Sequence, residues 1–331
     1  MQIEEQVPLA PLTTFHIGGP AKFFVRVKTV EEIQESLDYA RDKKLRVQVL
    51  GGGSNVLFSD AGFDGLVKKI ELRDVVKDAD TYVAAAGESW DALVERAVRD
   101  GLWGLENLSG IPGSVGGAVV QNIGAYGAAL SQTLVWAEAY DSATSALVHL
   151  TADQCSFGYR DSVFKHSERL VVVRAAFTLS PSPAPNLEYR DLAERFKAED
   201  PSLQAIRTAV LDIRAHKFPD LAKEGTAGSF FLNPMVPRAQ ARALKERYPD
   251  MPLFDMPETP DVKVPLGWLL DHVLNLRGTA VGGARVFERQ ALVIAATRGA
   301  TARDVNALAQ MIRQGVRRTI GIDIHEEVKI L

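Results

Sequence analysis

The sequence predicts an α+β fold, and three observations carry that prediction. Strand-like and helix-like segments alternate irregularly rather than as a regular β-α repeat. Two glycine-rich runs, 51–53 and 109–127, interrupt the alternation, and a proline-rich linker or exposed loop, 180–185, follows a long strand. The 331 residues allow two or three domains and a sizeable core, with no internal repeat at solenoid periods.

The first segment reads β-α-β. Residues 22–27 are apolar and aromatic, as a strand requires. Thr29 and Glu32 then stand at capping-box spacing, with Ile33, Leu37 and Ala40 on one helical face behind them. A short strand, 46–50, runs directly into Gly51-Gly52-Gly53-Ser54-Asn55. The second segment opens near Arg73 with a strand at 81–86. Ser89 caps a helix carrying Trp90, Leu93, Val94, Ala97 and Val98, and Gly101 stops it. Strands follow the glycine-rich stretch at 135–140, 146–150 and 170–179. In the third segment, Pro201 is expected in the first turn of a helix. Helices are expected at 237–248 and 266–276, and a strand at 292–296. Thr301 and Asp304 cap a helix whose buried face holds Val305, Leu308, Ala309, Ile312 and Val316, and a terminal strand covers 321–331.

The composition excludes several classes. It is 46% hydrophobic and 24% charged, ordinary for a globular chain. With 38 basic and 42 acidic residues, no positive excess points to nucleic acid or an anionic membrane. The single cysteine, Cys155, forms no internal disulfide or cysteine cluster, and the six histidines show no ligand spacing, so no metal is expected. Met1–Glu5 has no apolar signal core and no run is long enough to span a bilayer, so a cytoplasmic protein is expected. The sequon Asn107-Leu108-Ser109 is read as chance. No Gly-x-Ser-x-Gly elbow or His-Glu-x-x-His helix suggests a hydrolase.

Glycine tolerates unusual φ and lets backbone N–H groups approach an anion closely. The 51–55 run is neither a P-loop, for want of Gly-Lys-Ser/Thr, nor a dinucleotide fingerprint, since Val56 stands where the third glycine is required. The longer stretch, from Ser109 through Gly113, Gly116 and Gly117 to Gly124 and Gly127, is costlier in folding entropy than a connector needs. Two such stretches suggest a dinucleotide clamped between two lobes, with tight helix–sheet packing as the bland alternative.

With these residues assembled, the chain resembles the UDP-N-acetylenolpyruvoylglucosamine reductases, the MurB family, over nearly its whole length. The resemblance rests on Thr13–Ala21, Leu50–Leu57, the Gly104–Gly127 stretch, Phe157–Lys165 and Ala227–Pro234. His16 departs from the glycine of some relatives without removing a group that the chemistry needs.

The resemblance implies two FAD-binding lobes of the vanillyl-alcohol-oxidase-like (PCMH-type) kind, residues 1–70 and 71–218 with strand 319–331. A third, α+β substrate-binding domain covers 219–318. It implies NADPH-driven reduction of UDP-N-acetylglucosamine enolpyruvate to UDP-N-acetylmuramate, a step of peptidoglycan biosynthesis. FAD is expected to be non-covalent, since no histidine lies between Leu50 and Asp60, and the protein a monomer or weak dimer. The implied FAD contacts are Gly51, Gly52, Gly53, Ser54, Asn55, Val56, Ile111, Pro112, Gly113, Ser114, Gly117, Ala118, Asn122, Ile123, Gly124, Ala125 and Arg214.

The chemistry asks for particular groups. An enol ether conjugated to a carboxylate accepts hydride at its terminal carbon, and negative charge spreads into the carboxylate. That charge needs a cation or strong donors, and the neighbouring carbon needs an acid. Arg160 matches the carboxylate clamp, with its planar fork; taken alone, it reads as a surface arginine paired with Asp161. Ser229 matches the proton donor, or is a turn residue after Gly228. Glu327 matches the polarising carboxyl. Because neighbours on a strand face opposite ways, only one of Glu326 and Glu327 points inward, and spacing before Val328 and Lys329 selects Glu327. Lys217, Asn233, Gln290 and Tyr189 match the diphosphate-binding positions, Tyr189 in the form of the family whose loop tyrosine closes over the UDP-sugar. The alternatives are a flavin oxidase or dehydrogenase of the same superfamily acting on another sugar or alcohol, and a non-catalytic UDP-sugar-binding protein.

Overall fold

The computed structural model describes residues 1–197, 200–255 and 259–331. The chain divides into two compact units. The first comprises Met1–Val7, Ala21–Gly53 and Phe63–Ala215; the second comprises Pro8–Pro20, Ser54–Gly62 and His216–Leu331.

The first unit holds two larger sheets and a two-stranded one, Gly124–Ala125 with Ala128–Ala129. One contains β1 (Ile3–Pro8), β2 (Pro20–Val27), β3 (Arg46–Leu50) and β4 (Phe63–Ile70), in the order β1-β2-β4-β3. β4 runs parallel to both β2 and β3. Helix α1 (Val30–Asp42) links β2 to β3, and the Thr29 side chain accepts from Glu32 N, as its spacing predicts. β4 was not evident in the sequence, because Lys68 and Lys69 break its apolar run. As a central strand covered by α1, it nevertheless buries Lys68 completely.

The other sheet contains β5 (Val75–Asp78), β6 (Thr81–Ala85), β7 (Leu134–Asp141), β8 (Ala146–Thr151) and β9 (Leu170–Thr178). It is antiparallel throughout, in the order β8-β7-β9-β6-β5. Helix α2 (Trp90–Arg99) buries the face foreseen, Trp90, Leu93, Val94, Ala97 and Val98, behind its Ser89 cap. Helix α3 (Val115–Gln121) lies inside the glycine-rich stretch. Helix α4 (Leu203–Lys217) begins after Pro201, not at it. Ser202 takes the cap, its Oγ accepting from Ala205 N at 3.2 Å, so the proline precedes the helix instead of opening its first turn. One hydrophobic core runs from α1 through β6, α2 and β9 to α4.

The second unit is also α+β. It has a three-stranded sheet of Met235–Val236, Val262–Lys263 and Phe254–Asp255, and another of Ala280–Val281, Ala284–Val286 and Ile294–Ala296. Helix α5 (Ala302–Ile320) carries the capping box and buried face read from the sequence. Asp60 caps it as well, accepting from Ala302 N at 2.7 Å and Arg303 N at 3.1 Å. The helix expected at 266–276 is one short α-turn, Leu266–Trp268, continued as a π-helix, Leu269–Val273.

The C-terminal expectation needs correction. Only Lys329–Ile330 is strand within 321–331, and it pairs in parallel with Val56–Leu57. That partner and the end of the chain both belong to the second unit. Among the described residues no helix is long and apolar enough to cross a membrane.

Candidate active site

In the first unit, β3 delivers Gly51 and Gly52 against the glycine-rich stretch. A Cβ on Gly52 would lie 2.4 Å from Gly113 Cα, and one on Gly51 would lie 2.5 Å from Ser114 Oγ. At Gly51 the crowding comes from the Ser114 hydroxyl, whereas Gly52 needs glycine for close backbone approach. Gly113, with φ of 136°, needs it for its conformation as well. Lys69 Nζ donates to Gly51 O at 3.1 Å, and Ser114 caps α3 by accepting from Gly117 N at 3.3 Å. Two glycine turns and a capped helix end thus meet in one backbone-lined cradle, with no room between the turns for a side chain.

Helix α4 grips this stretch through the Gly110 peptide. Arg214 Nε donates to Gly110 O at 3.0 Å, while Asp91 Oδ1 accepts from Gly110 N at 2.6 Å. Arg207 Nη1 completes the bridge at 2.7 Å from Asp91. Burial pulls the Arg214 guanidinium below its ordinary range, and a hydrogen bond to the Tyr126 hydroxyl opposes the shift. Asp91, Arg207 and Tyr126 were not foreseen. Their partners lie far away in sequence, so local spacing carries no signal of them.

Asn122 ends α3 in the left-handed region, φ 42°. Its Nδ2 donates to Gly158 O at 2.9 Å, and Ser162 Oγ donates to Val120 O at 2.7 Å. These bonds fix the loop that bears Arg160, itself at φ 55°. The Arg160 guanidinium donates to Gly124 O. Its sequence neighbour Asp161 pairs with His166, at 2.8 Å. Tyr189 is half-buried, with its ring edge-on to Tyr126 at 5.0 Å. Ile111, Pro112, Ala118, Ile123 and Ala125 lie along the same glycine-rich stretch.

The second unit holds Ser54, Asn55, Val56, Lys217, Ser229, Asn233, Gln290 and Glu327. Gly228, at φ 79°, turns the chain into an extended segment that begins at Ser229. Phe230 N donates to Leu292 O and Glu327 N donates to Phe230 O, each at 2.9 Å. Ser229 and Glu327 therefore sit on adjoining, hydrogen-bonded segments. Asn55 Nδ2 donates to Glu327 O at 3.1 Å, bringing the first glycine-rich run's tail to the same place. Glu326 instead pairs with Arg313 at 3.2 Å. Asn233 Oδ1 accepts from Leu266 N at 2.9 Å, and a Cβ on Gly267 would lie 3.2 Å from Gln290 Oε1, so Asn233 and Gln290 flank one short helix. Lys217 is the last residue of α4.

Comparison with known proteins decides the family. Residues 21–151 match the FAD binding domain family, and residues 220–331 match the family described as UDP-N-acetylenolpyruvoylglucosamine reductase, C-terminal domain. The chain belongs to the UDP-N-acetylenolpyruvoylglucosamine reductase family. A reductase of that name from Ralstonia nicotianae is 38% identical, covering 99% of each chain. One from Paraburkholderia phymatum is 41% identical, over 97% of this chain and 95% of its own. The crystal structure of the enzyme from Thermus caldophilus is similar at a TM-score of 0.72 and 25% identity, covering 100% of this chain and 99% of that one. As a UDP-N-acetylenolpyruvoylglucosamine reductase family member, the chain is an FAD-dependent oxidoreductase of peptidoglycan synthesis. The cradle at Gly51, Gly52 and Gly113 fits FAD, because a long ligand with a diphosphate is held best by backbone that comes close on two sides.

Proposed function

We propose that the chain reduces UDP-N-acetylglucosamine enolpyruvate to UDP-N-acetylmuramate with NADPH as donor. FAD, when bound, carries the hydride from NADPH to the enolpyruvyl carbon. The observation that carries this reading is the backbone bond from Glu327 N to Phe230 O, which sets Glu327 beside the segment that begins at Ser229, with Asn55 on the Glu327 carbonyl. It supplies a hydroxyl and a carboxyl from neighbouring segments, the two groups that a developing carbanion beside a carboxylate requires.

Arg160 takes the substrate carboxylate as a planar fork. Ser229 protonates the carbon beside it, and Glu327 polarises the acid. Lys217, Asn233, Gln290 and Tyr189 hold the diphosphate. Gly51, Gly52, Gly53, Ser54, Asn55, Val56, Ser114, Gly117, Asn122, Gly124 and Arg214 hold FAD without a covalent bond. The protein works in the cytoplasm as a monomer or weak dimer.

The test is the visible spectrum of the purified protein under anaerobic conditions. Flavin bands should bleach on addition of NADPH and return with the enolpyruvyl UDP-sugar. Bands that bleach but do not return would point to another acceptor, and a protein that stays colourless after reconstitution with FAD would leave only a UDP-sugar-binding role.

A further inference from the structure

Asn107 lies in the turn Glu106–Leu108, just ahead of the glycine-rich stretch, and is 2% exposed. Its side-chain nitrogen donates to two carbonyl groups from distant parts of the chain, Tyr126 O at 2.6 Å and Asn186 O at 2.9 Å. Two acceptors at one end fix the amide's orientation, since the flipped group would set oxygen against oxygen. Its Oδ1 is then buried without a hydrogen-bond partner among the described residues. Such a group is costly to bury, a cost that a simple turn has no reason to carry.

What the amide holds gives the reason. Asn186 Nδ2 donates to Gly127 O at 3.1 Å, and its Oδ1 accepts from Glu188 N at 3.2 Å. Gly127 has φ of 86°, and a Cβ there would lie 2.9 Å from Asn186 Oδ1. Three residues beyond Asn186, the Tyr189 ring meets Tyr126 edge-on. Tyr126 itself sits at φ 51°, a strained conformation for a tyrosine, which the bond from Asn107 to its carbonyl helps to fix. Upstream, Trp103 N donates to Ser180 O at 2.8 Å. Trp103 and Asn107 therefore pin the two ends of the proline-rich run.

We propose that Asn107 is a positioning residue, which clasps the Asn186–Tyr189 segment to the Tyr126–Gly127 turn and so presents Tyr189 to the UDP-sugar in one orientation. This rests on the reading of Tyr189 as a diphosphate ligand. Fixing backbone costs conformational entropy, so a segment ordered in advance spares the ligand that cost. The effect belongs in KM for the UDP-sugar and not in flavin reduction.

The experiment compares holoenzymes carrying Asn107→Ala, Asn107→Ser and Tyr189→Ala. Asn107→Ala should lose hydrogen-exchange protection at residues 186–193. It should raise KM for the enolpyruvyl UDP-sugar about tenfold while flavin reduction by NADPH stays within twofold of the native rate. Asn107→Ser keeps one donor and should fall between, and it carries the comparison alone if the alanine variant fails to fold. Native protection at 186–193, or an equal loss in both half-reactions, overturns the proposal. A native KM in Tyr189→Ala overturns the role of Tyr189. A raised KM there beside a native KM in Asn107→Ala overturns the role of Asn107 alone.

Discussion

Arg207 closes on Asp91 through two hydrogen bonds, of 2.7 and 3.0 Å, and the same carboxylate holds the Gly110 amide at 2.6 Å. The two partners are not equally buried. The Arg207 side chain is 7% exposed, that of Asp91 36%. Removing Asp91 strands a buried cation and leaves Gly110 N–H without its acceptor, whereas removing Arg207 leaves a carboxylate that water reaches. Asp91→Ala should therefore cost more than Arg207→Met, on the order of 3 kcal/mol for the first. Urea denaturation of both variants checks the asymmetry; equal losses would show that the pair acts only as packing.

Two glycines of the cradle should behave differently. A Cβ at Gly52 meets Gly113 Cα at 2.4 Å and Ser114 N at 2.9 Å, all backbone, so Gly52→Ala must displace the glycine-rich stretch. Overpacking of this kind costs about 1–3 kcal/mol, and the variant should lose both stability and flavin. At Gly117 the nearest atom is Ser114 Oγ, 3.5 Å away, an ordinary contact. Gly117→Ala should keep the apoprotein's melting temperature yet bind FAD more weakly, if the cofactor lies where the proposal puts it. Fluorescence titration with FAD measures this, and native affinity would remove Gly117 from the site.

Capped helices and alternating strands were legible because their signals are local: Thr29, Ser89 and Thr301 each precede the face they predict. Helix α3 was not, because Gly116 and Gly117 lower helix propensity and read as loop. There tertiary bonds prevail, with Gly116 N on Ala86 O and Val115 N on Glu88 O, both at 2.9 Å. Motif residues such as Ser229 and Glu327 could be named from the sequence. Their adjacency through Phe230 could not, nor could the supports at Asp91, Asn107 and Arg207, because each depends on pairing across long stretches of chain.

Lys68 gives stability an unusual pH dependence. It is fully buried, its Nζ donates to Ile33 O at 3.3 Å, and burial pulls its pKa down to about 7. In the unfolded chain a lysine titrates near 10.4. Between those values the unfolded state binds more protons, so this group makes stability rise with pH, by up to about 1.4 kcal/mol per unit. Below pH 7 both states are protonated and the rise is absent. Lys68→Met should flatten the profile between pH 7.5 and 9.5 relative to the native protein, as followed by urea midpoints. An unchanged slope in that variant would mean that Lys68 reaches water.

The two half-reactions separate the chemical roles. Ser229 has no part in taking hydride from NADPH, so Ser229→Ala should leave bleaching of the flavin bands nearly unchanged. It should slow their return with the enolpyruvyl sugar roughly 100- to 10,000-fold, the range for loss of a positioned acid. Arg160→Ala should slow the same step, because the developing charge then lacks its fork. The bond from Arg160 to Gly124 O adds a control. Arg160→Lys keeps a cation but not the planar fork, and should recover only part of the rate. Stopped-flow absorbance resolves both steps. Equal rates of return in Ser229→Ala and native protein would remove Ser229 as the acid, and native return in Arg160→Ala would leave Arg160 as a brace for the Gly124 turn.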